Sequence, residues 1–434
     1  MKIRYGQIAL VILFLLAIAA VLIPTTHPSS DSLGSTADTA WILTASAFVL
    51  VMTPGLSFFY GGMVSKKNVI STMLQSFISL GVISLLWYAF GFSLAFGESI
   101  GGIIGNPFTY AFFNNVGTAP HPVMGAKIPF LLFAAFQLKF AIITPALITG
   151  SFAERVRFWA YLLFMCLFSL LIYCPLAHWT WHPNGILYKL GVLDFAGGTV
   201  VHISAGFAAL AGALVLGRRK THLENGHATT PANIPFVLLG TGLLWFGWFG
   251  FNAGSSLEAN QTAVLAFVNT NIASATAMLC WIIIDTVKGL KPSALGACIG
   301  AVVGLVAITP AAGFVSIGAS VFIGVFSAAI SNYAVHWKSN KTTIDDTLDV
   351  FPCHGMGGIT GMIFTGVFAQ NGGLITGSTT LFFNHLLALV LVSVFTFGGS
   401  FLLYKLTDVL IPLRVGEDKE DLGLDLSQHG ESID

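Results

Sequence analysis

The chain is expected to fold as an all-α polytopic membrane protein with eleven transmembrane helices, a 5+5 inverted repeat followed by one long oblique C-terminal helix. Three observations predict this. Of 434 residues, 55% are hydrophobic and 9% charged, whereas a soluble domain carries about 25% charged residues. Apolar stretches long enough to cross a bilayer follow one another along the chain, separated by glycines and short polar loops. An aspartate followed eight residues later by a histidine occurs twice, as Asp194 to His202 (DFAGGTVVH) and Asp346 to His354 (DTLDVFPCH). Five apolar spans separate the copies, and an odd number makes them enter the membrane from opposite faces.

Taken in order, residues 1–24 read as a secretory signal peptide. Lys2 and Arg4 precede an apolar core from Ile8 to Ile23, and small residues Ala17, Ala19 and Ala20 lie near a cleavage point. An uncleaved extra helix is the other reading, and both leave residues 25–38 outside. The transmembrane domain covers 25–411. Its first half, 39–216, holds spans at 39–60, 69–96, 128–149, 158–176 and 197–216. Its second half, 233–369, holds spans at 233–252, 262–286, 294–309, 314–332 and 349–369. Span 11, at 381–407, falls outside the repeat and is long enough to wrap the bundle obliquely. Residues 412–434 form a cytoplasmic regulatory tail.

Basic residues orient these spans. Lys66 and Lys67, Arg155 and Arg157, Arg218 to Lys220, Lys288 and Lys291, Lys338 and Lys341, and Arg414 and Lys419 fall on alternate connections or the tail. The remaining connections hold only Lys127 and Lys189. By the positive-inside rule the mature N-terminus lies outside and the C-terminus in the cytoplasm, in a cell (inner) membrane. The net charge is zero and no basic run suggests nucleic acid. The five cysteines are odd in number, lie in apolar spans and lack CxxC spacing, so they read as small core residues rather than a disulfide framework.

The repeat has a second trace: Phe59 with Asn68 nine residues on resembles Phe251 with Asn260. Inverted repeats place a substrate site at their interface near the bilayer midplane. Eight residues of helix advance about 12 Å and half the hydrocarbon thickness is about 15 Å, so both imidazoles are expected near the midplane. Buried titratable groups at that depth are a functional hypothesis by default. His202 shares a helix face with Gly198, Gly206, Ala209 and Ala213, and His354 runs into Gly355, Gly357, Gly358 and Gly361. Small residues let helices approach closely. Burial disfavours charge, so each ring is expected neutral, with one donor and one acceptor nitrogen. Two ligands are too few for a metal, with only Cys353 nearby. Asp194 and Asp346 are expected to support the site by capping helix N-termini.

Three aromatic segments stand where a cation would enter. They are Phe136-Gln137-Leu138-Lys139-Phe140, His178-Trp179-Thr180-Trp181, and Trp248-Phe249-Gly250-Phe251-Asn252-Ala253-Gly254-Ser255. Singly, each is explained as an interfacial belt. Together with DFAGGTVVHISAG, FPCHGMGGITG, TPGLSFFYGG, AERVRF and the tail GLDLSQHGE, they resemble the ammonium transporter (Amt/MEP/Rh) family, across essentially everything after residue 38. The resemblance implies that Phe136, Trp181 and Ser255 recruit ammonium at the outer face. Phe140 and Phe251 match the stacked pair closing the pore mouth, His202 and His354 the twin pore histidines, and Asp194 the buried aspartate beneath the recruitment site. It also implies a homotrimer with a pore through each protomer, no cofactor, and a tail that meets a cytoplasmic P-II signalling protein. Ile433 stands where many members have tyrosine. Lys139 departs further: it adjoins Phe140, about 18 Å into its helix if that begins near Lys127, and would repel ammonium if it faced the pore as a cation.

The function expected is uptake of ammonium, recruited as NH4+, deprotonated, and passed as NH3, with the proton either left behind or relayed separately. Other classes fit less well. An intramembrane protease would need HExxH or a serine in GxSG, both absent. A sensor with low transport would show fusion domains or lose a pore histidine. A neutral-gas conduit would gain little from an aromatic cation site.

Overall fold

Hydrocarbon offers no partner to a backbone amide or carbonyl, so apolar runs of this length close their hydrogen bonds internally as helices. The computed structural model describes residues 5–30, 34–225 and 230–433. Lys2 and Arg4, the basic start of the expected signal, lie outside these residues. A first helix, Tyr5–Leu22, has no buried residue. Behind it, the Thr26 amide donates to Asn114 Oδ1 at 2.9 Å and Thr26 O accepts from the Asn115 amide at 2.7 Å.

Eleven spans follow. Spans 1 to 5 are Thr36–Met63, Lys66–Phe96, Phe130–Ser151, Phe158–Lys189 and Gly198–Leu216. Spans 6 to 9 are Ile234–Gly254, Gln261–Val287, Ala294–Ile308 and Ile317–Lys341. Span 10 joins the π-helical turn Phe351–Gly355 to the helix Met356–Phe368, and span 11 is Thr380–Leu410. Among the described residues the one strand pair is antiparallel, Ser99–Ile100 with Ile104–Gly105, in the long connection after span 2.

Two boundaries differ from the hydropathy reading. Span 4 is read to end at 176, but its helix continues through His178 to Trp181 before a short turn and Ile186–Lys189. Span 9 is read to end at 332, but its last turns carry His336, Lys338 and Asn340 beyond the apolar stretch. Hydropathy registers where lipid stops, whereas helices end where their backbone finds a cap.

Repeat-related helices meet each other. Spans 1 and 6 pack backbone to backbone: a Cβ on Gly240 would lie 2.3 Å from the Phe59 nitrogen. Spans 5 and 10 do the same, and a Cβ on Gly206 would lie 2.3 Å from the Gly355 Cα. Span 11 has 31 residues, about 46 Å, well beyond a hydrocarbon core of about 30 Å, so it runs obliquely. Near its start, His385 Nε2 accepts from the Leu193 amide at 3.0 Å. Near its end, Tyr404 stacks on Phe164 of span 4 with centroids 3.8 Å apart.

The connections on the tail side are tied by buried charges. Arg219 donates to Glu154 at 2.6 Å and to Asp345 at 2.9 Å. Arg155, fully buried, donates to Asp345 O at 2.6 Å. Burial alone would raise the Asp345 pKa, but Arg155 and Arg219 hold it well below the usual carboxylate range. The tail closes over this network. Arg414 pairs with Glu420 at 2.7 Å, and Asp425 accepts from the Ile70 and Ser71 amides at 3.0 and 2.7 Å.

Candidate functional site

The site is a column running down the middle of the bundle. Its wide end is a vestibule of about 230 Å³, lined among others by Gln137, Phe140, Trp181, Phe195 and Ser255. Trp181 is placed by its own chain: its indole N–H donates to Asp194 O at 3.1 Å. Ser255 donates its proton to Phe251 O at 2.8 Å, so its remaining offer to the vestibule is an acceptor lone pair. Phe136 does not line the vestibule. It is fully buried, with its ring 5.0 Å from Phe140 in an edge-on arrangement.

Below the vestibule the Phe140 and Phe251 rings lie 4.3 Å apart, tilted by 33°. Phe251 lies 6.0 Å from the imidazole of His202, which stacks on Trp248 at 5.3 Å and 16°. Trp248 is held in turn by donating to Thr309 Oγ1 at 2.9 Å. His202 and His354 approach Nδ1 to Nδ1 at 3.3 Å. Two nitrogens at that distance share one proton between them, so one ring donates and the other accepts. His202 Nε2 is buried without a hydrogen-bond partner among the described residues. On the far side, His354 borders a cavity with Phe59, Tyr60, Val302 and Leu348. That cavity leaves only about 10 Å³ for the centre of a water-sized molecule, roughly room for one.

Each histidine sits in a wide turn that an aspartate begins. Asp194 accepts from the Gly197, Gly198 and Thr199 amides at 2.9, 2.6 and 2.7 Å, and from the Thr199 hydroxyl. Asp346 accepts from the Val350 and Phe351 amides at 3.1 and 2.7 Å. Between each aspartate and its histidine the chain is not one uninterrupted α-helix. The first residues are loop, and Gly198–Ile203 and Phe351–Gly355 are π-helical. The histidines reach the middle because capped loops dip into the bundle, not by 12 Å of regular rise.

Lys139 is outside the column. Its helix begins at Phe130, three residues later than Lys127, which places it about 14 Å in. With Leu131, Ala135 and Leu138 it forms the partly exposed face of span 3, opposite to the face that carries Phe140.

Residue spacing did not reveal Trp248 as the platform under His202, nor Phe59 and Tyr60 as walls beyond His354. Both contacts join segments far apart in sequence, and no local pattern encodes them. Among the described residues no group of three or more His, Cys, Asp or Glu side chains could hold a metal ion.

The Ammonium Transporter Family model matches residues 40–433. An ammonium transporter of Bacillus subtilis is 45% identical over 404 residues, covering 91% of this chain and 97% of that one. Ammonium transporter Amt1 of Archaeoglobus fulgidus is 43% identical, covering 92% and 99%. Among solved structures, Mep2 of Saccharomyces cerevisiae superposes with a TM-score of 0.84 at 35% identity, covering 90% of this chain and 89% of that one.

Proposed function

The chain belongs to the ammonium transporter family, a family of membrane transporters and not of enzymes, and we propose how its column performs ammonium uptake. NH4+ is recruited at the vestibule, gives up a proton to vestibule water as it meets the Phe140–Phe251 constriction, and continues as NH3 along His202 and His354, the proton either staying outside or following by the imidazole relay. The contact between those two imidazoles, buried in the bundle and 3.3 Å apart, is the observation that carries this reading.

The physics separates recruitment from selection. Trp181 and the Phe140 ring supply cation–π attraction of about 0.5–2 kcal/mol each, and Ser255 accepts an N–H. Phe136 supports Phe140 from behind instead of meeting the ion. These groups alone would hold potassium as well. Beyond them, two phenyl rings offer nothing to replace a hydration shell, and stripping an ion there costs several kcal/mol. Ammonium can escape that cost by leaving its proton behind; potassium cannot. A neutral imidazole pair then hydrogen-bonds the free base, and can relay a proton separately by exchanging donor and acceptor.

The same reading sets the vestibule outside and the tail in the cytoplasm of a cell (inner) membrane, as the Lys and Arg asymmetry directs. Residues 1–24 act as a removable signal, 25–411 as the transport domain and 412–434 as a regulatory tail open to a P-II signalling protein. The working form is a homotrimer with one column per protomer. A non-conducting sensor is the weaker reading, because the solved structure titled a sensor shares 29% identity against 45% for a transporter.

Uptake into proteoliposomes tests the recruitment step. Trp181→Leu should raise the KM for ammonium about tenfold while leaving the protein folded. An unchanged KM, with unchanged competition by methylammonium, would remove the aromatic site from the mechanism.

A further inference from the structure

One polar side chain in the vestibule wall is unaccounted for. Gln137 lies on span 3 one turn above Phe140 and lines the vestibule beside Trp181 and Ser255. It is 8% exposed, and its Oε1 is buried without a hydrogen-bond partner among the described residues. A buried amide oxygen left unpaired is expensive, and native structures keep such groups where a ligand or ion completes them.

We propose that Gln137 is a further specificity-determining residue of ammonium recruitment, its amide oxygen turning into the vestibule to accept an N–H of the bound cation alongside the Ser255 hydroxyl. This rests on the vestibule being the recruitment site. Ammonium presents four N–H donors in a tetrahedron. Two oxygens and two ring faces then complete it: Ser255 and Gln137 accept directed hydrogen bonds, while Trp181 and Phe140 meet the remaining charge. Because no protein group fixes the amide, rotation about its terminal torsion lets the cation itself select the oxygen end. A spherical alkali cation of similar size gains less from two directed acceptors, since it needs more oxygens to replace its shell. Gln137 therefore adds discrimination at the mouth, where aromatic rings alone have none.

The test uses the full chain in proteoliposomes, with ammonium and methylammonium as probes and Trp181→Leu measured in parallel. Gln137→Leu should raise the ammonium KM about tenfold with the maximal rate within about twofold, and should shift the methylammonium KM less, because methylammonium has one N–H fewer to satisfy. Gln137→Glu keeps the shape and places a full charge on the acceptor, so it should lower the KM at neutral pH and lose that gain on acidification. It also carries the test if the leucine variant fails to fold. A packing role would lower the amount of folded protein in both variants without this opposite pair of KM shifts. An unchanged or lowered KM in Gln137→Leu overturns the proposal, and a lowered one means that the amide N–H faces the ion. If Trp181→Leu raises the KM and Gln137→Leu does not, the recruitment site stands without Gln137. If neither raises it, both fall.

Discussion

His202 is held by an aromatic floor and by the other histidine. Trp248 beneath it and His354 beside it leave Nε2 as the ring nitrogen without a partner among the described residues, and the proposed uptake assigns it to the passing molecule. An uncharged imidazole suits that place because it offers a donor and an acceptor nitrogen and can exchange them by changing tautomer, without carrying a charge through the middle of the bundle. Trp248→Ala would remove the floor and let the ring tilt. Transport should fall at least tenfold in maximal rate, with a smaller change in KM, since the vestibule is untouched. Rapid-mixing uptake would detect the split, and a pure KM effect would speak against the positioning role. Lys139 gives the converse prediction. Because it lies on the outward face of span 3, Lys139→Leu should leave ammonium uptake within about twofold of wild type, and a large gain in rate would mean that its charge does reach the ion path.

At the scale of elements, the decisive feature is the crossing of spans 5 and 10 at Gly206 and Gly355. A methyl group on Gly206 would stand 2.3 Å from backbone atoms that cannot yield. Gly206→Ala should therefore lower stability by about 1–3 kcal/mol or separate the histidines, whichever costs less. Thermal unfolding in detergent, read beside transport, measures both, and a stable, fully active variant would exclude the close crossing. Much of this level was legible in the sequence. Hydropathy located the spans to within three residues except at the ends of spans 4 and 9, glycine stripes marked the faces that touch, and the twice-used aspartate–histidine spacing picked out the two helices that meet. What stayed hidden were three-dimensional details. Periodicity assumes a regular helix, so it missed the π-helical turns that let Asp194 and Asp346 cap loops inside the bundle. The family resemblance named Phe136 for recruitment and no local pattern singled out Gln137, which lines the vestibule beside Trp181.

For the whole molecule, two inverted halves build one column, and a charged lattice on the tail side clamps their connections. Arg219 is its centre. Arg219→Met would strip the guanidinium from the buried Glu154 and Asp345, leaving Glu154 without its ion pair and Asp345 with Arg155 as its remaining cation, at a cost of about 3 kcal/mol. A clear loss of thermal stability, with the tail becoming accessible to protease, is expected; no change would show the lattice to be incidental. The pH dependence follows from sign. Asp345 is depressed below its ordinary value by Arg155 and Arg219 despite burial, so its contribution is complete above about pH 4 and is lost as the pH falls through the folded value. Stability from this carboxylate should be flat between neutral and mildly acid conditions. Above this clamp, the proposed mechanism makes the column's selectivity depend on two uncharged rings. Potassium conductance of the His202→Asp, His354→Asp double variant in a planar bilayer measures that dependence most directly. Placing carboxylates where the imidazoles stand supplies the ligands that a bare cation lacks, so potassium current should appear where the wild type carries none. A folded, ammonium-conducting double variant that still excludes potassium would contradict the neutral-imidazole conduit.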